Sequence, residues 1–163
     1  MYLIMKKLIF LISLLISTSA FANCKRPYWD SCAKIVNNKC ISTNEYILYR
    51  DGADVKINNK NKVKSGIWTS YYTDKLLSKR ADVNIDHVLP FKFMKDNGGC
   101  DNIKEIYNDE ENLVISSQKE NRDKWHHLTV PFETNAPYKK KQCYICNKWK
   151  LNNCDLVCQD IQK

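Results

Sequence analysis

Short apolar segments alternate with polar, asparagine- and lysine-rich stretches along most of the chain. The clearest alternation of apolar and polar side chains covers residues 83–88. Pro90 limits its continuation, because proline cannot donate a hydrogen bond to a strand ladder. Residues 113–115 form a second short apolar segment. These two segments predict two strands.

A helix is predicted directly after the second strand. Ser116 or Ser117 offers an N-cap hydroxyl, and Glu120 falls in the first turn, as in a capping box. The helix is expected to cover residues 118 to about 126. The order of strand, long loop, strand and helix predicts a ββα unit.

The other segments predict short elements. Residues 46–49 and the aromatic residues 66–72 have the composition of strands, and residues 55–64 that of a loop or hairpin. We expect short helical turns at residues 31–36, 73–77 and 91–99, a polar loop over 100–111, and an irregular, cysteine-rich segment after Pro131.

The first 22 residues have the features of a secretory signal peptide. Lys6 and Lys7 precede an apolar run over residues 8–16, and a small-x-small pattern ends at Ala22. The run is shorter than the ~20 apolar residues that a membrane-spanning helix needs. We therefore expect removal of residues 1–22, no membrane attachment afterwards, and a periplasmic or secreted protein made of residues 23–163.

Length and charge indicate how many domains the exported part has and what kind of partner suits it. Residues 23–163 suit one domain, which we expect to be a monomer. The full chain carries a formal net charge of +8, which is compatible with an acidic partner such as nucleic acid or an anionic surface. Charge by itself is weak evidence for either partner.

All eight cysteines follow the signal segment. An even number in an exported chain favours disulfides over thiols. The spacing near the C-terminus also suits four zinc ligands, but an oxidising compartment favours disulfides. Clustering near both ends predicts that the termini are tied to each other or to the body. The disulfide candidates are Cys24, Cys32, Cys40, Cys100, Cys143, Cys146, Cys154 and Cys158.

Three residues of the predicted ββα unit have the chemistry for phosphodiester hydrolysis. Asp86 and Asn121 offer hard oxygen ligands for a divalent metal such as Mg²⁺. His87 titrates near neutral pH and can act as a general base. Neighbours on a strand point to opposite faces, so Asp86 and His87 share one site only if the strand ends or bulges there.

Four short motifs follow one another in this region. They are Asp86-His87-x-x-Pro90, Gly98-Gly99, Asn112-Leu113 and Asn121-x-x-Lys124. With the aromatic residues 66–72, they make residues 65–125 resemble secreted bacterial members of the HNH, or ββα-metal, endonuclease family. The resemblance implies an α+β fold, a small disulfide-rich domain. Its HNH core would lie at about residues 65–127, between cysteine-rich flanks at 23–45 and 138–163.

The resemblance also implies a role for each matching residue. His87 would be the general base, and Asp86 and Asn121 would be the metal ligands. Asn112 would fix the loop and help to orient His87, and Asn108 is its competitor for this middle position. The family often has a histidine where this chain has Asn121.

Two basic residues of the last motif are candidates for substrate binding. Arg122 and Lys124 would contact phosphate groups. A second basic and aromatic segment, residues 138–149, is equally compatible with a nucleic-acid surface and with a solvated tail held by disulfides. No sequence-reading module such as a helix-turn-helix is recognisable, so low sequence specificity is expected.

The sequence therefore predicts an exported, metal-dependent endonuclease acting on DNA, with RNA as an alternative substrate. One divalent metal is expected, with Mg²⁺ favoured over Mn²⁺, Ca²⁺, Ni²⁺ and Zn²⁺. One alternative is a non-enzymatic, disulfide-stabilised module that binds nucleic acid or an acidic surface. The other is a toxin-type nuclease effector, which an immunity or inhibitor protein would accompany.

Overall fold

The computed structural model describes residues 24–132 and 137–159. The predicted signal peptide at residues 1–22 lies outside this part of the chain. The described residues combine helices and small antiparallel sheets with four disulfides, which confirms a small, disulfide-rich α+β fold. None of their helices has the length and apolar composition needed to cross a bilayer.

The first part of the chain contains a hairpin, a helix and a three-stranded antiparallel sheet. In this sheet the middle strand is the second of the three in chain order. The elements are β1 (Lys34–Val36), β2 (Lys39–Ile41), α1 (Thr43–Arg50), β3 (Gly52–Ile57), β4 (Val63–Thr69) and β5 (Leu76–Leu77).

Three predictions for this part were wrong. The helical turn expected over residues 73–77 instead contains β5, which pairs with β4. Residues 34–36 form a strand and not a helix, because Asn37 and Asn38 adopt positive φ angles of 50° and 60° and close a tight hairpin. The expected strand at residues 46–49 lies inside α1, which begins at the N-cap Ser42. Burial of Ile47 and Leu48 on one helix face outweighs the strand preference of this aromatic and branched segment.

The predicted ββα unit is present. β6 (Val83–His87) pairs with β7 (Leu113–Ser117) in an antiparallel register that joins His87 to Leu113, and α4 (Gln118–Lys124) follows directly. Between the strands lie α2 (Phe91–Asp96) and α3 (Ile103–Tyr107), so the expected polar loop over residues 100–111 was wrong in part. Gly98, with φ 87°, ends the turn after α2 as the sequence predicted.

Two further helices lie near the C-terminus, where an irregular segment was expected. They are α5 (Tyr138–Lys148) and α6 (Asp155–Cys158). Disulfides Cys143–Cys158 and Cys146–Cys154 join them. The helical spacing of Cys143 and Cys146 puts both thiols on the side of α5 that faces α6. All described cysteines are paired, so the alternative of four zinc ligands was wrong.

The other two disulfides stabilise the first part of the chain. Cys32–Cys40 closes the β1–β2 hairpin, and Cys24–Cys100 joins residues 76 positions apart. The long-range bond ties the segment before β1 to the turn after α2. The disulfides therefore act differently at the two ends of the chain. One attaches the N-terminal segment to the turn after α2, and two join the C-terminal helices to each other.

The β6–β7 pair lies between two apolar clusters. Ile85 and Leu113 pack with Trp68 in one cluster, whereas Val88 and Val114 pack with the buried Tyr72 in another. The two faces of this short sheet are therefore covered, and both strands are held rigidly. β7 already pairs with one edge of β6, which leaves the other edge for α4.

A capping box begins α4 where the sequence predicted it. The Ser117 hydroxyl accepts from the Glu120 amide at 3.1 Å, and Glu120 Oε2 accepts from the Ser117 amide at 2.6 Å. Glu120 also accepts hydrogen bonds from the hydroxyls of Ser70 and Thr73. Burial opposes ionisation of Glu120, but these hydrogen bonds outweigh it and lower its pKa.

We expect Ser117→Ala to lower the free energy of unfolding by about 1 kcal/mol, because it removes the cap acceptor of α4. Ser116→Ala is the matched control, since the Ser116 hydroxyl is buried with no hydrogen-bond partner among the described residues. Urea unfolding of both variants measures the difference. Equal losses in the two variants would contradict the assignment of the cap.

Candidate functional site

A cleft of about 510 Å³ opens beside the last residues of β6, and we call it the β6 cleft. Its walls come from the segment before β1, from β6, from α3 and from α4. Such a volume is within the range of ligand-binding clefts. The lining residues include Arg26, Trp29, Asp86, His87, Tyr107, Asn121, Arg122 and Trp125.

Asp86 and His87, the last two residues of β6, both line this cleft. The ladder with β7 stops at His87, and the next backbone amide, that of Val88, donates to the Asn112 carbonyl at 2.8 Å. The chain then turns into α2 at Pro90. The strand ends only after His87, and the regular pairing of Asp86 with Val114 and of His87 with Leu113 contains no bulge, so the two side chains leave opposite faces of β6.

His87 is held in one orientation and one protonation state. Its Nε2 lies 2.8 Å from the Tyr107 carbonyl oxygen, which can only accept, so we assign the hydrogen to Nε2 and the lone pair to Nδ1. The Trp29 ring stacks on the imidazole with centroids 5.3 Å apart and an interplanar angle of 7°. A fixed tautomer with a free lone pair is the form that a general base requires.

Burial sets the charge of His87. The residue is only 6% exposed, and burial lowers its pKa to about 3. The hydrogen bond to Tyr107 opposes this change, while the positive charges of Lys124 and Arg26 add to it. The imidazole is therefore neutral at pH 7.

Asp86 belongs to a buried polar cluster with Lys124 and Tyr72. Its Oδ2 lies 3.0 Å from Lys124 Nζ and also accepts a hydrogen bond from the Tyr72 hydroxyl. Burial raises the pKa of Asp86, whereas the Lys124 charge and the Tyr72 hydrogen bond oppose the rise. Burial also lowers the pKa of Lys124, against the attraction of Asp86.

Lys124 was predicted to contact substrate phosphate, but it lies inside this buried cluster, away from solvent. Its side chain is fully buried, and Nζ also donates to the His87 carbonyl oxygen at 2.7 Å. The sequence could not show this, because the lysine occupies the last turn of a short helix whose buried face had no predicted partner. Lys124 instead connects Asp86 and His87 through one ammonium group.

Asn121, a predicted metal ligand, and Arg122, a predicted phosphate contact, also line the cleft. The Asn121 amide donates to the Ile85 carbonyl oxygen at 3.4 Å, and Arg122 is exposed. Ile85 and His87 present their carbonyl oxygens along the same edge of β6, where Asn121 and Lys124 meet them. α4 therefore covers the free edge of the strand and brings Asn121 beside the residues at its end.

The two asparagines proposed for the middle position have different places. Asn112 is fully buried and fixes the turn after His87, since its Oδ1 accepts from the Leu89 amide at 2.8 Å. It does not line the cleft, so its role is to position the chain around His87. Asn108 instead accepts from the Asp30 amide at 2.8 Å, which fixes the segment that carries Trp29. The loop-fixing role predicted for Asn112 matches its contacts.

Four residues of the site were missed by the sequence analysis, namely Arg26, Trp29, Tyr107 and Trp125. Tyr107 directly precedes Asn108, and Trp125 directly follows Lys124, but no residue pattern marks either aromatic residue as part of a site. Arg26 and Trp29 reach the cleft through the Cys24–Cys100 disulfide, whose pairing the sequence does not determine.

The second basic and aromatic segment is less available for nucleic acid than its sequence suggested. Lys148 pairs with Asp109 at 2.9 Å and with Glu111 at 2.6 Å, and Trp149 donates to Asp109. These contacts neutralise the end of α5 and pack it against the turn before β7. The β6 cleft is the stronger candidate for binding an anionic substrate.

The two predicted metal ligands, Asp86 and Asn121, both line the cleft. Lys124 and the Tyr72 hydroxyl already bind Asp86 Oδ2, and the Asn121 amide donates to the Ile85 carbonyl oxygen. No group of three or more His, Cys, Asp or Glu side chains with metal-binding geometry occurs in the described residues. A divalent cation held by Asp86 and Asn121 would have few protein ligands and several waters, which is the coordination that Mg²⁺ prefers.

Comparison with known proteins gives one relevant similarity. The chain is 35% identical over 66 residues to a protein of Arthroderma benhamiae described as an uncharacterized secreted protein. The alignment covers 40% of this chain and spans 30% of the relative. No protein-family model matches the chain, and no solved structure matches it. The resemblance to HNH endonucleases therefore stays a prediction from the sequence.

We expect Lys124→Met to lower the free energy of unfolding by about 3–5 kcal/mol at pH 7, because Asp86 would remain as an unpaired buried charge. The double variant Asp86→Asn, Lys124→Met removes both charges and retains an acceptor for Tyr72. Its loss is expected to be smaller than that of Lys124→Met alone. Guanidinium unfolding measures both, and a double variant less stable than Lys124→Met would contradict the ion pair.

His87 should make stability fall as the solution is acidified. The folded pKa of about 3 lies below the unfolded value near 6.5, so only the unfolded chain takes up this proton between these pH values. The contribution is about 1.4 kcal/mol per pH unit in that window. Asp86 has the opposite effect on the free energy of unfolding at low pH. Its pKa is raised in the folded protein, so the folded state takes up this proton before the unfolded chain does.

His87→Gln isolates the histidine contribution, because it retains a polar side chain without a titrating group. Its free energy of unfolding, measured in urea at pH 7, 6 and 5, should depend less steeply on pH than that of the wild type. Parallel pH profiles would show that His87 titrates normally in the folded protein.

Proposed function

We propose that the protein is an exported endonuclease that hydrolyses phosphodiester bonds of nucleic acid, with DNA favoured. The observation that supports the proposal is that Asp86, His87, Asn121 and Arg122 all line one cleft. These side chains come from a strand end and from a helix, and they combine a base, two oxygen ligands and a cation. This is the set of groups that metal-assisted phosphodiester hydrolysis requires.

In the proposed reaction His87 takes a proton from the attacking water. Its Nε2–H is bonded to the Tyr107 carbonyl, so Nδ1 is the atom that accepts the proton. A pKa of about 3 in the free protein is low for this task. A bound phosphodiester brings a negative charge into the cleft, which favours the imidazolium and raises that pKa toward the working pH.

Asp86 and Asn121 would hold the divalent cation, which we propose to be Mg²⁺. When bound, the cation would neutralise charge on the phosphate and on the leaving 3′ oxygen. Lys124 fixes the Asp86 carboxylate from the buried side and binds the His87 carbonyl, so the ligand and the base keep a constant separation. Arg122, exposed on the cleft wall, would contact a phosphate oxygen.

Export is supported by two observations. The matching stretch of the Arthroderma benhamiae protein belongs to a secreted protein, and four disulfides require an oxidising environment. Together with the signal-like residues 1–22, they favour a periplasmic or extracellular location. A substrate met there would be free nucleic acid outside the cytoplasm.

Degradation of supercoiled plasmid, with Mg²⁺ and with a chelator, tests the proposal. We expect cleavage in Mg²⁺ and none with the chelator, and His87→Ala should lose at least about 100-fold in rate. His127→Ala is the matched control, because that histidine is exposed and does not line the cleft. Circular dichroism of each variant confirms that it is folded.

Two results would contradict the enzyme assignment. One is the absence of cleavage with Mg²⁺, Mn²⁺, Ca²⁺, Ni²⁺ or Zn²⁺, and the other is full activity of a folded His87→Ala variant. Binding of DNA without cleavage would instead favour a non-enzymatic module that uses the positive charge of the chain.

A further inference from the structure

Trp125 is an exposed tryptophan on the rim of the β6 cleft. It follows the last residue of α4, lines the cleft and is 72% exposed. Large aromatic side chains usually gain free energy by burial, so an aromatic ring left in water at the edge of a polar cleft suggests a binding partner.

The backbone of Trp125 is strained in a way that fixes its position. Its φ of 46° and ψ of −114° are disfavoured for a bulky residue. The Trp125 amide still donates to the Asn121 carbonyl at 2.9 Å, and the His127 amide donates to the Lys124 carbonyl at 3.0 Å. The buried Lys124 thus holds the chain just before Trp125, and the fold maintains the strained conformation at this point.

Two exposed arginines line the same cleft. Arg26 belongs to the segment before β1, and Arg122 lies on α4. Neither makes an ion pair with a residue in the described part of the chain. The Arg26 guanidinium lies over the rings of Phe91 and Tyr107, 5.7 and 5.9 Å from their centroids. Both positive charges are therefore available to an anionic strand.

We infer that Trp125 is a stacking site for one unpaired nucleobase, with Arg26 and Arg122 binding the phosphates of the same strand. This inference rests on the proposed function, because it takes nucleic acid as the substrate. Bases in a duplex are already stacked, so a ring on the rim stacks fully on a base only in a single strand or a locally open duplex. The site therefore selects single-stranded or unpaired regions.

The surrounding charges favour this ligand over a partner protein. Two arginines without an ion pair to any described residue line the same cleft as one exposed aromatic ring, which matches the alternation of phosphate and base along a single strand. The deeper wall of the cleft carries His87, Asp86 and Asn121, so a base stacked on Trp125 would leave a neighbouring phosphodiester close to the proposed reacting groups.

Fluorescence anisotropy of a labelled oligothymidylate, measured with a chelator present, tests the stacking site without cleavage. Trp125→Ala should bind about 5- to 100-fold more weakly, whereas Trp125→Phe should keep most of the affinity. Tyr49→Ala is the control, since Tyr49 is partly exposed and lies outside the cleft. Binding of a blunt duplex of the same length should change little in Trp125→Ala.

Two further variants separate stacking from folding and from charge. Trp125→Gly relieves the strained φ, so it should unfold at an equal or higher temperature and still lose affinity for the oligothymidylate. Arg26→Gln and Arg122→Gln should each reduce the slope of log K against log salt by about 0.7. Unchanged slopes would show that these arginines do not contact phosphate.

The outcomes distinguish this inference from the proposed function. Trp125-dependent binding without plasmid cleavage would support the stacking site and contradict the nuclease. Cleavage and oligothymidylate binding that are both unaffected in Trp125→Ala would contradict the stacking site and leave the nuclease in place. An equal loss of single-strand and duplex affinity would contradict selection of unpaired bases.

Discussion

The buried ion pair between Asp86 and Lys124 is the interaction on which the site depends. It compensates two charges that the interior would otherwise exclude, and the same ammonium group binds the His87 carbonyl. It therefore fixes the end of β6 to the last turn of α4. The strained turn at Trp125 begins one residue later, so this ion pair also determines where the rim of the cleft lies.

The environment of His87 combines two requirements that usually oppose each other. Burial and stacking on Trp29 hold the ring still and keep it neutral, but they also make it a weak base. In the proposed function an anionic substrate would resolve this conflict, since its charge would favour protonation of the imidazole. His87 would then become a stronger base when substrate is bound.

The parts of the fold set by local signals were predictable from the sequence. The alternation of apolar and polar residues predicts β6, and the capping box at Ser117 predicts the start of α4. The Asn97-Gly98 pair predicts the end of α2. Elements set by distant contacts were not predictable, as α1 shows, because Ile47 and Leu48 are helical through packing against Trp68 and its neighbours. The motifs predict that Asp86, His87 and Asn121 lie near one another, and all three line one cleft. The burial of Lys124 was not predictable, because the sequence does not show what covers α4.

The Cys24–Cys100 disulfide makes the structure of the site depend on the redox conditions around the protein. It attaches the segment that carries Arg26 and Trp29, which forms one wall of the cleft and stacks on the imidazole. In a reducing cytoplasm this bond does not persist, and the wall lacks its covalent attachment. Under the proposed function, completion of the site would be coupled to export, and the assembled nuclease would be separated from the genome of the cell that makes it.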